Sequence, residues 1–276
     1  VRQRQEDRPD HCGRSEISTL RFKSLGSGSA GNGTIVEACS GAHTTRVLVD
    51  CGFGQKQLDQ RLALAGLQAG QIDAIFITHE HGDHVGCAPQ WAVRHRIPVW
   101  MSHGTHAAIA QPNLDGLLHI ARDTETIDLG LLQLTPFTVP HDAREPLQLR
   151  CSQGDAHLGI LTDLGHATPH VLAQLMGCQA LLLECNHDPD LLAASRYPPF
   201  LKQRVGGLYG HLANHAAAEI AQALAVGGLR RIVAAHLSEQ NNRPELALAA
   251  LAEAEGCAKV TLGVAHAAFG CDWVTV

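Results

Sequence analysis

The stretch Ile77-Thr78-His79-Glu80-His81-Gly82-Asp83-His84-Val85-Gly86 restricts what this chain can fold into more than any other. Four side chains able to bind metal (His79, His81, Asp83 and His84) fall within six positions, just after the mainly apolar run Ile72 to Ile77. Imidazole nitrogen and carboxylate oxygen suit Zn²⁺, Mn²⁺ and Fe²⁺. If the chain leaves a strand at Thr78, strand alternation puts His79 and His81 on one side of the turn. Gly82 lets the backbone swing round, and Asp83 and His84 open the next helix, directed at a second position nearby. One short loop then serves two adjacent metals. The competing reading is a polar turn that happens to be rich in histidine, which would not require this order of ligands between a strand and a helix.

A chain of 276 residues can bury a sizeable core and is within the range of one large α/β domain. Its formal charge of −6 provides no global basic field, so a nucleic-acid substrate would need a local basic patch. The nine cysteines are odd in number and contain no Cys-x-x-Cys pair. That argues against a disulfide framework or zinc ribbon and for reduced thiols in a cytoplasm. No apolar run is long enough to span a bilayer. Residues 1–19 are charged and polar with no apolar core of a secretory signal. They read as a disordered extension, leaving 20–276 as a single domain.

From Leu20 onward, short apolar runs alternate with longer amphipathic ones. Strands are expected at Leu20 to Leu25, at Thr34 to Ala38 and Thr45 to Val49 as a hairpin, at Ile72 to Ile77 and at Pro98 to Ser102. Helices are expected at Gln55 to Ala65, His84 to His95 and His103 to Gln111. In the second half, strands are expected at Leu131 to Val139, Leu147 to Cys151, His157 to Thr162, Ala180 to Glu184, Arg231 to Ala235 and Lys259 to Val264. Helices follow at Pro169 to Leu175, Asn214 to Ala225 and Pro244 to Glu255, the last capped near Asn242. Periodicity alone yields only the class α/β.

More candidate ligands stand at strand ends. His141 follows Val139-Pro140, Asp163 follows Ile160-Leu161-Thr162, and His236 follows Val233-Ala234-Ala235. All three lie where the loops of α/β folds present functional side chains. Glu184 and His187, in Glu184-Cys185-Asn186-His187-Asp188, also end a strand and either complete the polar pocket or are plain strand-end residues. In the small-residue loop from Gly26 to Gly33, Ser27, Gly28, Ser29 and Asn32 would present successive backbone N–H groups to a phosphate. A bland tight turn is the equal alternative there.

In order, "SGSAGN", "LVDCG", "ITHEHGDHVG", "PHDA", "LTDLG", "LECNHD", "GHLANH" and "AHLSEQNN" resemble the YycJ/WalJ-like branch of the metallo-β-lactamase superfamily. His-x-His-x-Asp-His is that superfamily's signature, and His236-Leu237-Ser238 is also similar to a motif of the tRNA 3′-processing nuclease tRNase Z. The resemblance runs from about Arg21 to the C-terminus; Ala213 departs from it, standing where the branch usually has serine. It implies a four-layer αββα sandwich. It implies that His79, His81 and His141 hold one metal, that Asp83, His84 and His236 hold the other, and that Asp163 bridges them. Asp50 would brace the ligands from behind, as carboxylates do when they fix an imidazole's tautomer. His211 would lie near a scissile phosphate and protonate the leaving oxygen.

Two adjacent divalent metals, Zn²⁺ with Mn²⁺ as the alternative, would share a water and hold a hydroxide ready for attack, with Asp83 and Asp163 orienting it. By the resemblance, the reaction is phosphodiester hydrolysis of single-stranded or end-containing DNA by a 5′→3′ exonuclease. The pairs Lys202/Arg204 and Arg230/Arg231 either flank a phosphate track or are simply solvated. The alternative is a small-substrate hydrolase acting on a thioester or lactone, like glyoxalase II. Such an enzyme would be expected to carry a C-terminal helical domain, and after Ser238 the chain shows one clear helix and a strand. A regulatory protein that has lost catalysis is less compatible with a complete ligand set.

Overall fold

The computed structural model describes residues 18–276. The expected disordered extension thus lies outside the described residues, except for Ser18 and Thr19, which open the first strand.

Strands β1 (Ser18–Gly26), β2 (Gly33–Ser40) and β3 (His43–Val49) form an antiparallel meander, and β4 (Ala74–Phe76), β5 (Val99–Met101) and β6 (Leu118–Ile120) extend it in parallel. The next seven strands are β7 (Ile127–Asp128), β8 (Gln133–Thr138), β9 (Leu147–Gln153), β10 (Ala156–Leu161), β11 (Ala180–Glu184), β12 (Arg231–Ala235) and β13 (Thr261–Val264). They repeat the plan: antiparallel from β7 to β10, parallel from β10 to β13. The last strand, β14 (Val274–Thr275), returns to the first sheet beside β1. The sheet orders are β14-β1-β2-β3-β4-β5-β6 and β13-β12-β11-β10-β9-β8-β7.

Alternating side chains assign the layers. Phe22, Val47, Val49, Ala74 and Phe76 of the first sheet share one buried cluster with Leu149, Leu158, Ile160, Leu182 and Val233 of the second. Their neighbours Leu48, Ile75 and Ile77 face the other way, onto Leu58 and Leu62 of α1 (Gln55–Leu64) and Trp91 of α3 (Ala88–His95). On the far side, Leu181, Leu183, Ile232 and Ala234 meet α5 (Pro169–Leu175), α8 (Asn214–Ala225) and α9 (Pro244–Glu253). The result is a four-layer αββα sandwich, as the resemblance implied. The remaining helices are α2 (Gly82–Val85), α4 (His103–Ala108), α6 (Pro189–Ala194) and α7 (Pro199–Val205). No described helix is long and apolar enough to cross a membrane.

Two local expectations are corrected. The single helix from His84 to His95 is instead two, because Gly86 adopts φ 38° between them. A Cβ at Gly86 would run into the Cys51 carbonyl oxygen and the backbone of Gly52 and Phe53, so the break is where the β3 loop packs. The four-residue α2 is too short to be stable by itself. Its carbonyls are satisfied from outside: Asn32 N donates to Asp83 O and Cys51 N to His84 O, both at 2.8 Å. Asn242 does not cap α9 either. Its amide exchanges hydrogen bonds with that of Asn214, at 3.0 and 2.8 Å, and its Nδ2 also reaches Cys185 O, locking the start of α8 to the end of β11. The small elements β6, β7, α6, α7 and β14 carried too few residues for a periodic signal.

Gly86→Ala is expected to destabilise the protein by about 2–4 kcal/mol, from a positive φ combined with backbone overlap. Urea unfolding of the two proteins measures it, with Gly54→Ala, whose Cβ meets nothing within 4 Å, as the mild reference.

Candidate metal centre

Every candidate side chain arrives from the same edge of the two facing sheets. Asp50 follows β3, the loop from Thr78 to His81 follows β4, and Asp83 and His84 lie on α2. His141, Asp163 and His236 follow β8, β10 and β12, and Glu184 ends β11. The strands bearing these loops run in one direction, so their C-terminal ends converge at the seam. Leu147 N, opening β9, donates to Thr78 O at 2.9 Å and ties the second sheet to the loop of the first. Asp50 and His236 both hold positive φ, 63° and 54°. For a histidine this is uncommon backbone, kept here because His236 N donates to Ser27 Oγ at 2.8 Å.

His79, His81 and His141 form the first donor group. His81 Nδ1 lies 3.0 Å from His79 Nε2 and 3.3 Å from His141 Nε2. The other ring nitrogens of His79 and His141 are committed. His141 Nδ1–H donates to Gly210 O at 3.0 Å, and His79 Nδ1 faces Thr78 Oγ1 at 3.0 Å. Thr78 Oγ1 in turn donates to Asp50, leaving its lone pair to accept. Burial holds the pKa of His79 well below the ordinary value, helped by His84, and burial also lowers that of His141. Both are therefore neutral at pH 7 and direct lone pairs toward one point, as a metal requires.

Asp83, His84 and His236 form the second group. Asp83 Oδ2 is 3.4 Å from His236 Nε2 and 3.6 Å from His84 Nε2. His84 Nδ1–H donates to Asp50 Oδ2 at 2.7 Å, which leaves Nε2 pointing at Asp163 Oδ2, 2.8 Å away. Two buried groups at that separation need something positive to share, either a proton on Nε2 or a metal ion. A metal suits that position. Asp163 lies between the groups, its Oδ1 3.1 Å from His236 Nδ1 and 4.0 Å from His141 Nε2.

The electrostatics agree with a cation-seeking site. Burial opposes charge on Asp163, but His236 and His84 outweigh it and hold its pKa well below the usual carboxylate range. Burial likewise opposes charge on His84, and Asp163 and Asp50 raise its pKa to about 10. Protons there balance buried carboxylates, and a divalent ion would displace them.

Glu184 is fully buried and joins three loops. Its Oε1 accepts from His211 Nδ1 at 2.8 Å and His236 Nδ1 at 3.2 Å; its Oε2 accepts from Leu164 N at 2.8 Å and Leu212 N at 3.3 Å. His211 Nδ1 also lies 3.0 Å from Asp163 Oδ1, and 23% of its side chain is exposed. His187 is not brought into the cluster. Its ring is buried beside Gly206, and its Nδ1 has no partner. The small-residue loop serves as a brace. Gly28 N donates to Asn32 Oδ1, Ser27 Oγ is taken by His236 N, and Asn32 Nδ2 reaches Asp83 Oδ2 at 3.3 Å. Of the two readings open for this loop, a phosphate cradle or a plain tight turn, the second fits: those groups are spent inside the protein, and Ser29 is exposed at the turn.

Three contributors were not singled out from sequence. Thr78 relays Asp50 to His79, and Asn186 Nδ2 donates to His236 O at 2.9 Å. Asp142 Oδ1 lies 3.8 Å from His81 Nε2 while its Oδ2 accepts from Arg204 at 2.5 Å. Their only advance signal was adjacency to a candidate ligand.

Residues 45–237 match the family described as Beta-lactamase superfamily domain. The exodeoxyribonuclease YycJ of Bacillus anthracis is 30% identical over 233 residues, 83% of this chain and 86% of that protein. The exodeoxyribonuclease WalJ of Streptococcus pneumoniae is 31% identical over 238 residues, covering 84% and 87%. Among solved structures, the metallo-β-lactamase fold protein YhfI of Bacillus subtilis superimposes with a TM-score of 0.70 over 94% of this chain and all of that one. At 14% identity that is a likeness of fold.

Asp50→Asn tests the bracing geometry, because asparagine tolerates the positive φ while losing the charge. Metal affinity, measured by competition with a chelator, is expected to fall about 10–100-fold. Unchanged affinity would remove the Asp50 charge from the bracing role.

Proposed function

The chain belongs to the metallo-β-lactamase superfamily and is a metal-dependent hydrolase, and on that premise we propose that it is a dinuclear phosphodiesterase, a 5′→3′ exonuclease of DNA. The substrate class is carried over from the two exodeoxyribonucleases that match most of the chain. The observation within this molecule that carries the reading is His211, an imidazole outside both donor groups yet fixed against Asp163 and Glu184.

In this reading His79, His81 and His141 hold one ion, Asp83, His84 and His236 the other, with Asp163 between them. Nitrogen and oxygen donors without thiolate suit Zn²⁺ first and Mn²⁺ second. When bound, such ions lower the pKa of the attacking water and neutralise charge on the non-bridging phosphoryl oxygens. The chain's own groups do the rest. Asp83 and Asp163 orient the nucleophile through their carboxylates. His211 spends Nδ1–H on Glu184 and Asp163, whose negative charges raise its pKa to about 9, so the ring also carries Nε2–H, the proton that passes to the leaving alkoxide. Glu184 holds that ring's orientation and Asp50 that of His84, both as positioning residues. A cytoplasmic location belongs to the same reading, supported by the eight described cysteines, all unpaired.

The test is digestion of end-labelled single-stranded DNA, with and without a 5′-phosphate, by the Zn²⁺- or Mn²⁺-loaded protein. Metal-dependent shortening from the 5′ end, abolished in Asp83→Ala, is expected. A protein shown to carry two metals that leaves DNA intact but cleaves thioesters or lactones would overturn the proposal. His211→Ala is expected to slow DNA cleavage about 10²–10⁴-fold. The loss on a p-nitrophenyl phosphodiester should be far smaller, since that leaving group departs without a proton. Equal losses on both substrates would remove His211 from the role of acid.

A further inference from the structure

Residues 195–210, which lead directly to His211, hold both tyrosines of the chain (Tyr197 and Tyr209) together with Phe200. The same stretch carries Arg196, Lys202 and Arg204 and no acidic residue, in a chain of formal charge −6. Phe200 is 71% exposed and Tyr209 61%. Large rings left open to water on a segment that also carries cations and no acid point to a binding surface. The stretch is also tied to the metal centre. Arg204 pairs with Asp142, Gly210 O accepts from His141 Nδ1 at 3.0 Å, and His211 N donates to Val205 O at 2.8 Å. A cavity of about 670 Å³, lined in part by Lys202, Gly206 and His211, lies between this stretch and the start of α8.

We propose that residues 195–210 are the surface on which single-stranded DNA is gripped beside the metal centre, its bases stacking on Phe200 and Tyr209 and its phosphates meeting Arg196 and Lys202. The inference rests on the nuclease reading above. Charge complementarity and open aromatic faces together fit a single strand, whose unpaired bases offer faces and whose backbone is anionic. Stacking accepts every base, so it suits an enzyme that must pass along any sequence. It also places the grip on a segment hydrogen-bonded to a candidate metal-site residue, which fixes the scissile phosphate relative to the donors.

The test uses the metal-loaded protein carrying Phe200→Ala and Tyr209→Ala together. KM for a single-stranded oligonucleotide is expected to rise about 30-fold or more, two stacking contacts being lost. The rate on bis(p-nitrophenyl) phosphate, which has no strand to grip, should stay unchanged. Arg196→Ala should reduce the slope of log KM against log salt by about 0.7, one phosphate contact. Wild-type digestion of DNA with an unaltered KM in the double variant would overturn the proposal while the nuclease reading stood, and would leave a protein partner as occupant of this face. A wild-type protein that cleaves the chromogenic ester yet neither binds nor digests DNA would overturn both.

Discussion

Three carboxylates, Asp50, Asp163 and Glu184, are buried at the seam between the two sheets, and the arrangement of the rest follows from the need to balance them. A buried carboxylate without a partner is strongly unfavourable, so each must face donors or a cation. Asp50 faces His84 and Thr78, Glu184 faces His211, His236 and two backbone N–H groups, and Asp163 faces three imidazoles. Asp163 Oδ2 faces His84 Nε2 at 2.8 Å, a pair that a shared proton balances and that, in the metal-ligand reading, an ion would take over.

The fold delivers these groups by repeating one half-sheet plan. Each sheet is antiparallel on one side and parallel on the other, and the parallel strands of both end at a common rim. The candidate side chains stand where strands stop, at the ends of β3, β4, β8, β10, β11 and β12, so together these ends supply a site that no single segment holds. The short α2 shows the cost of this design. It is stable because Asn32 and Cys51 close its carbonyls, and Gly52 and Gly86 let those backbones approach. Glu184 does the corresponding task in the second sheet, pinning the loops that carry Asp163 and His211.

Much of this was legible beforehand. The order of ligands after Ile72 to Ile77 requires a strand-to-helix turn, and the strands that begin at Ala180 and Arg231 are continuous apolar runs because both of their faces are covered. What misled was local likeness without local cause. The run from His84 to His95 has a helical pattern but is interrupted by the approach of the β3 loop to Gly86. Asn242 sits where a cap would, but its amide is more useful joined to Asn214. Ser27, Gly28 and Asn32 resemble an anion cradle until their donors are seen to be committed elsewhere.

The sequence by itself determined the chemistry on offer: which nitrogen and oxygen donors exist, that they stand at strand ends, and that no thiolate joins His79, His81, Asp83 and His84. Side-chain identity and alternation are local properties, and they can be read without coordinates. Only the tertiary structure decided which donors share a point, which ring nitrogen of His84 and His141 is free, and that His187 stands apart while His211 stands in. Those outcomes depend on how loops from two different sheets meet, through hydrogen bonds between residues about two hundred positions apart, such as that from His236 N to Ser27 Oγ. No local pattern encodes such a pairing.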